Sequence, residues 1–152
     1  MVLTIGDRAP DFSLNDGEGN LVELAALRGK RVILYFYPRD NTPGCTKEAC
    51  AFRDNYPKFE EKNAVILGIS ADDAKAHQKF IQKFQLPFPL LCDPASQVAT
   101  LYESYGLKKF MGKEYMGVMR HTFVIDPEGK IEKIYLKVKP ETHPNQVLED
   151  LA

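Results

Sequence analysis

Apolar runs without polar alternation mark the strands that this sequence predicts. Residues 32–37 and 65–70 are continuous β-branched and aromatic runs, typical of strands covered on both faces of a sheet. Residues 121–125 form a further apolar run. It is followed by the turn sequence Asp-Pro-Glu-Gly at 126–129 and by alternating apolar residues over 131–136. A turn of this kind between two such runs predicts a β-hairpin.

The segments between the predicted strands carry apolar residues at helical spacing. Thr42 is predicted to be an N-cap with Pro43 at the first helical position, and the helix is predicted to run to about Asn55. The pattern also predicts helices over 72–84, 95–105 and 144–151, a short extended segment over 87–91, and an irregular arm with a small hairpin over 1–30.

Alternation of strands with helices indicates the fold class. Such an order, ending in a hairpin and a helix, predicts an α/β fold with a central mixed β-sheet flanked by helices on both faces, and a thioredoxin-like fold fits best. A chain of 152 residues is the size of one ordinary domain, so we expect a single domain over 1–152.

Composition and charge narrow the function classes. Hydrophobic residues make up 44% and charged residues 27%, as in soluble globular domains. The formal net charge of -1 gives no obvious source of affinity for nucleic acid. No stretch reaches the roughly 18 apolar residues of a membrane span, and the first residues do not resemble a signal peptide. We therefore expect a cytoplasmic protein that binds neither nucleic acid nor membrane.

Cys45 carries the clearest chemical signal. Only three cysteines are present, which favours a reducing compartment and a catalytic or metal-binding role over a disulfide scaffold. Cys45 falls near the third helical position, where free N–H groups and the helix dipole stabilise a thiolate. Pro43 has a preset helical φ, and Gly44 places no side chain beside the sulfur, so the site is expected to be open to a small molecule. The alternative is that Cys45 is a small, half-buried residue at an ordinary helix start.

Cys50 follows five residues later in the same predicted helix. In an intact helix the two Cα atoms are about 8.7 Å apart. A disulfide tolerates at most about 7 Å. If the two cysteines pair, the start of the helix must unwind, so redox state and local conformation would be coupled.

The segment around Cys45 resembles the active site of peroxiredoxins. The family pattern Pro-x-x-x-Thr-x-x-Cys is matched by Pro38, Thr42 and Cys45. Together with Cys50 and the arm over 6–12, this match identifies the chain as similar to the bacterioferritin comigratory protein or peroxiredoxin Q subgroup. The resemblance extends over nearly the whole chain.

This resemblance implies roles for specific residues. Cys45 would be the peroxidatic cysteine, attacking hydrogen peroxide or an organic hydroperoxide, and Cys50 would resolve the sulfenic acid by forming a disulfide that thioredoxin reduces. Arg120 matches the family arginine that lies near the sulfur, where a permanent cation can stabilise the thiolate and hold the peroxide oxygens. The Thr42 hydroxyl can accept from the peroxide and donate to the sulfur. No cofactor or metal is implied, and the subgroup favours a monomer over a dimer.

Two other functions remain open at this point. A zinc module could use Cys45, Cys50 and a histidine, although the spacing disfavours it. A disulfide oxidoreductase would need a Cys-x-x-Cys pair, which the sequence lacks.

Glu48 has two interpretations. Its carboxylate could hold an arginine in place, or it could simply interact favourably with the dipole at the start of the helix. We expect the remaining residues of these types to be structural, packing or solvated: Arg39, Arg53, His77, Cys92, His121 and His143.

Overall fold

The computed structural model describes residues 2–151. The strands are β1 (Ser13–Asn15), β2 (Leu21–Glu23), β3 (Arg31–Phe36), β4 (Ala64–Ser70), β5 (Leu90–Cys92), β6 (Tyr105–Phe110), β7 (Lys113–Val118), β8 (Thr122–Ile125) and β9 (Ile131–Tyr135). The helices are α1 (Pro43–Asp54), α2 (Tyr56–Glu61), α3 (Ala74–Phe84), α4 (Gln97–Leu101) and α5 (His143–Asp150), with 3-10 turns at Leu24–Leu27 and Pro94–Ser96.

A five-stranded mixed sheet with the order β5-β4-β3-β8-β9 organises the fold. β3 pairs parallel with β4 and antiparallel with β8, so it lies at the centre of the sheet. The runs 32–37 and 65–70 supply β3 and β4, which are buried on both faces as their unbroken apolar sequences predicted. The mixed sheet of the predicted fold is confirmed.

Two apolar clusters cover the two faces of this sheet. One contains buried residues of α1, α2, α3 and α5, with Phe52, Phe59, Phe80 and Val147 among them. The other contains residues of α4, of the amino-terminal arm and of the opposite side of β3 and β8. Helices therefore flank the sheet on both faces, and α1 begins where β3 ends.

Two segments depart from the predicted elements. The helix predicted over 95–105 is limited to α4, because Ala95, Ser96 and Glu103 adopt positive φ values of 63°, 54° and 56° that a helix cannot contain. The hairpin of β6 and β7 was not predicted. It pairs Tyr105 with Val118 in a separate two-stranded sheet. Most of its residues are exposed, so the hairpin lacks the buried alternation by which a strand is recognised.

The other predicted elements are present with small shifts. α1 spans Pro43–Asp54 with Thr42 at the N-cap, as predicted. The arm contains the small hairpin β1–β2. α3 starts at Ala74, because the Asp73 carboxylate accepts from the Ala76 N–H and caps the helix. Within residues 2–151, no helix has the length and apolar character that crossing a membrane requires.

Candidate active site

The start of α1 presents Cys45 at the carboxyl end of the central strand β3. Thr42 is extended, with φ -102° and ψ 157°, and its carbonyl accepts the first helical hydrogen bond from Thr46 N–H at 2.8 Å. The N–H groups of Gly44 and Cys45 precede that bond, and they lie at the positive end of the helix dipole. This arrangement favours negative charge on the Cys45 sulfur.

Arg120 contacts the Cys45 sulfur directly. It lies in the short link between β7 and β8, and its Nη2 donates to Cys45 Sγ at 3.3 Å. Its Nη1 donates to Glu48 Oε1 at 2.8 Å, so both ends of the guanidinium are engaged. Burial lowers the pKa of Arg120, but the charges of Glu48 and Cys45 raise it by more. Arg120 therefore remains a cation beside the sulfur.

Glu48 is the buried partner that holds Arg120. Its side chain is 0% exposed, and its Oε2 has no hydrogen-bond partner among the described residues. Burial raises the pKa of Glu48 to about 7, against the lowering effect of Arg120. Of the two readings of Glu48, the structure supports the one in which it holds an arginine.

Gly44 provides room for the guanidinium. A Cβ at this position would lie 3.1 Å from Arg120 Nη2 and 3.6 Å from the Pro140 side chain. The expectation of an open sulfur was wrong, because Cys45 is only 2% exposed, with Arg120 against it. The missing side chain at Gly44 accommodates Arg120 rather than an open entrance.

Thr42 and Pro38 border the same loop. The Thr42 hydroxyl donates to the Arg39 carbonyl at 2.9 Å, so its proton is directed at the backbone. The expectation that this hydroxyl donates to the Cys45 sulfur was wrong. Its oxygen lone pairs are left to accept a hydrogen bond. Pro38 is half-buried just beyond β3, and its lack of an N–H suits the end of a strand.

Cys50 lies half-buried in α1, which is continuous from Pro43 to Asp54, and both Cys45 and Cys50 are free thiols. The helix therefore holds them about 8.7 Å apart between Cα atoms. Cys92 is also free and half-buried. Burial and then the charges of nearby aspartates raise the pKa of the Cys92 thiol, which opposes formation of a reactive thiolate.

The other candidate side chains have structural contacts. Arg53 Nη1 donates to the Phe84 carbonyl at 2.7 Å, and Arg39 is exposed. His77 and His143 are 0% and 1% exposed, so neither is a surface residue. His77 contacts Asp40, a pairing that the sequence analysis missed, because a single aspartate in a polar loop carries no signal of burial.

The structure tests whether Cys45 and Cys50 belong to a cluster of side chains that could bind zinc. Within residues 2–151, the grouping with metal-ligand potential consists of Asp40, Asp72 and His77, and it includes neither Cys45 nor Cys50. All three members already form hydrogen bonds with protein groups. The structure thus does not assemble the zinc site that Cys45 and Cys50 would need.

Comparison with known proteins identifies the family. The AhpC/TSA family matches residues 5–134. Peroxiredoxin Bcp of Bacillus subtilis (strain 168) is 47% identical over 151 residues, which cover 99% of this chain and 96% of that protein. Among solved structures, a bacterioferritin comigratory protein of Xanthomonas campestris, studied for alkyl peroxide reduction, is similar with a TM-score of 0.90 and 35% identity over 99% of this chain and 96% of that chain.

A cysteine-to-serine variant of PrxQ from Xylella fastidiosa has a TM-score of 0.93 and 31% identity, covering 99% of this chain and 96% of that chain. These matches confirm the resemblance found in the sequence. The sequence relative and both solved structures match this chain over 99% of its length. The chain belongs to the AhpC/TSA family, as a peroxiredoxin of the bacterioferritin comigratory protein and peroxiredoxin Q subgroup, and it is a thiol-dependent peroxidase.

Proposed function

We propose that Cys45 is the peroxidatic cysteine and that Cys50 is its resolving partner, in the reduction of hydrogen peroxide and organic hydroperoxides. The observation that carries this proposal is the 3.3 Å contact between Arg120 Nη2 and Cys45 Sγ. A fixed cation and the amino terminus of α1 both stabilise the thiolate, which is the attacking species. Among the three cysteines, Cys45 alone is described with such a contact.

The first step transfers one oxygen to Cys45. The thiolate attacks the terminal oxygen of the peroxide, the O–O bond breaks, and the leaving oxygen departs as water or an alcohol after taking up a proton. The guanidinium of Arg120 stabilises the negative charge that develops on the leaving oxygen. The lone pairs of Thr42 Oγ1 accept the peroxide O–H and orient the O–O bond along the line of attack.

The second step forms the disulfide. The Cys50 sulfur attacks the Cys45 sulfenic acid, an S–S bond forms, and water leaves. Because the intact helix separates the two Cα atoms by about 8.7 Å, residues 45–50 must unwind before the sulfurs meet. The first turns of α1 hold only Cys45, Glu48 and Ala49 as buried side chains, so local opening disturbs a small part of the core.

Recycling requires an external dithiol, and we propose thioredoxin. A thiolate of the reductant attacks the disulfide, a mixed disulfide forms, and the second thiol of the reductant releases the reduced enzyme. A reducing cytoplasm suits this cycle. We also propose that the working unit is a monomer, as the subgroup resemblance implies; light scattering of the reduced and oxidised protein tests this.

Steady-state peroxide consumption tests the function. Wild type, Cys45→Ser, Cys50→Ser and the control Cys92→Ser are each assayed with hydrogen peroxide or an organic hydroperoxide, with thioredoxin, thioredoxin reductase and NADPH. We expect wild type and Cys92→Ser to turn over both peroxides, whereas Cys45→Ser is inactive. An active Cys45→Ser, or loss of turnover in Cys92→Ser, would contradict the assignment.

A further inference from the structure

Asp40 anchors the loop between β3 and α1. The Tyr37 hydroxyl donates to Asp40 Oδ1 at 2.5 Å, and His77 Nδ1 lies 2.6 Å from Asp40 Oδ2. The Asp40 backbone N–H donates to Asp72 Oδ2 at 2.8 Å. Both carboxylate oxygens and the N–H are thus held, and Asp40 is 8% exposed. This residue fixes the loop to Tyr37 just after β3, to α3 and to the segment after β4.

The contacts of His77 fix where its protons lie. Its Nε2 is 2.9 Å from the Leu91 carbonyl oxygen, which can only accept, so Nε2 carries a proton. Its Nδ1 faces an Asp40 oxygen at 2.6 Å, and a carboxylate also only accepts, so a second proton lies between them. With Asp40 ionised, the pair consists of an imidazolium and a carboxylate, buried and mutually neutralising.

Electrostatics agree with this assignment. Burial lowers the pKa of His77, but the hydrogen bond and charge of Asp40, the Leu91 carbonyl and the charge of Asp72 raise it by more. The direction of this shift favours the protonated ring.

The loop that Asp40 anchors leads into the active site. Asn41 follows with a positive φ of 55°, a conformation that asparagine tolerates but that the surroundings must hold. Thr42 comes next, and its hydroxyl donates to the Arg39 carbonyl on the other side of Asp40. Cys45 lies less than one helical turn further on. A shift of Asp40 would therefore move both Thr42 and the start of α1.

We propose that His77 is a positioning residue for peroxide reduction. Its imidazolium holds Asp40, and Asp40 in turn fixes the loop over 38–42 so that Thr42 and Cys45 face the peroxide. This inference rests on the proposed function of Cys45. His77 touches neither the sulfur nor the substrate, and it acts through Asp40. A misplacement of about 1 Å in such a site can reduce a rate by about 100-fold.

The proposal makes the first step sensitive to high pH. Loss of the Nδ1 proton leaves a lone pair facing the Asp40 carboxylate, so the 2.6 Å contact is lost and the loop loosens. The titratable groups around the pair are Tyr37 just after β3, Asp72 after β4, Asp73 at the N-cap of α3, Cys92 on β5, and Asp16 in the β1–β2 turn. The charges of Asp40 and Asp72 favour the imidazolium, and the pKa of Tyr37 is raised well above its ordinary value.

A single-turnover experiment tests the proposal. Reduced protein is mixed with hydrogen peroxide, the reaction is quenched with acid at increasing times, and the remaining Cys45 thiol is alkylated and quantified by mass spectrometry over a range of pH. The variants are His77→Gln and Asp40→Asn. Tyr37→Phe is the matched control, because it removes one buried hydrogen bond to Asp40 but keeps the imidazolium.

For wild type and Tyr37→Phe we expect a rate constant that falls at alkaline pH. His77→Gln and Asp40→Asn should be about 10-fold to 100-fold slower at neutral pH and should lack this alkaline fall. A merely structural role would lower the melting temperature of all three variants without removing the fall. The rates are measured below each melting transition, and Asp40→Asn carries the test if His77→Gln does not fold.

Two outcomes separate this inference from the proposed function. If wild type consumes the Cys45 thiol but His77→Gln or Asp40→Asn keeps its rate and alkaline fall, the positioning role is wrong and the peroxidase assignment stands. If wild-type Cys45 does not react with peroxide, the proposed function is wrong and this inference fails with it.

Discussion

Arg120 Nη2 lies 3.3 Å from Cys45 Sγ, although the two residues are 75 positions apart in the sequence. The second arm of the same guanidinium binds Glu48, three residues after Cys45 on α1. The cation is therefore held by the same helix that presents the sulfur. Its position depends on α1 being folded, so unwinding of α1 also separates Arg120 from its anchor.

Replacing Arg120 tests this contact. Arg120→Ala removes the cation and a donor to the developing charge, so we expect the rate constant for Cys45 oxidation to fall by about 100-fold to 1000-fold. Arg120→Lys should be intermediate, because an ammonium group cannot contact Glu48 and Cys45 in the fixed geometry of a guanidinium. Single-turnover kinetics measure the rate. Arg53→Ala, which removes an arginine of α1 directed at the Phe84 carbonyl, is the control and should keep the wild-type rate.

Gly44→Ala should separate stability from activity. Alanine favours a helix over glycine by up to about 1 kcal/mol, so the free energy of unfolding should rise. The new Cβ would lie 3.1 Å from Arg120 Nη2, the same nitrogen that contacts Cys45 Sγ, so the guanidinium must give way there. We expect the variant to be at least as stable as wild type, as measured by chemical denaturation. Its rate of Cys45 oxidation, measured by single-turnover kinetics, should be several-fold lower. An unchanged rate would mean that Gly44 is not needed for the position of Arg120.

Glu48 should make stability depend on pH. Burial raises its pKa from 4.5 to about 7, so between these values the folded protein holds a proton that the unfolded chain has lost. The contribution of Glu48 to the free energy of unfolding therefore declines as pH rises from about 4.5 to 7 and is constant above that range. Glu48→Gln removes this decline and keeps a hydrogen-bond acceptor for Arg120.

The test is the difference in unfolding free energy between Glu48→Gln and wild type, from denaturation curves at a series of pH values. This difference should grow in favour of the variant from pH 4.5 to 7. Comparing the two proteins is necessary because His143, whose pKa is lowered to about 4 by burial, shifts stability in the opposite direction over an overlapping range. A difference that is independent of pH would show that Glu48 titrates near its ordinary value.

Oxidation should unwind the start of α1. The predicted disulfide cannot form across about 8.7 Å in an intact helix, so the backbone hydrogen bonds of residues 45–50 must open. We expect faster amide hydrogen exchange in that segment after one equivalent of peroxide, while β3 and β4 stay protected. Cys50→Ser treated in the same way is the control, and its α1 should stay protected. Equal protection of α1 in oxidised and reduced wild type would contradict the unwinding step.

The strand end and helix start that carry the candidate site could be predicted because their signal is local. Pro38, Thr42, Pro43 and Cys45 lie within eight consecutive positions, and their backbone preferences specify the end of a strand and the start of a helix. Arg120 was found only through the family resemblance, since no local rule connects residues so far apart. The direction of the Thr42 hydroxyl was expected wrongly, because the Arg39 carbonyl lies within its reach.

The missed features depend on tertiary packing. Asp40 and His77 look like ordinary polar residues in the sequence, and only the approach of α3 to the loop after β3 makes them a buried pair. The β6–β7 hairpin escaped prediction because its apolar residues, such as Leu107, Phe110 and Met116, are exposed and follow no buried face. Central strands such as β3 were predictable because both faces are buried.

Detection of the Cys45 intermediate tests the central claim most directly. Cys50→Ser is treated with one equivalent of hydrogen peroxide in the presence of dimedone, and the modified residue is located by mass spectrometry beside wild type treated in the same way. We predict a dimedone adduct on Cys45 in the variant and a Cys45–Cys50 disulfide in wild type. An adduct on Cys92 in the variant, an adduct on Cys50 in wild type, or a wild-type disulfide that includes Cys92 would contradict the account.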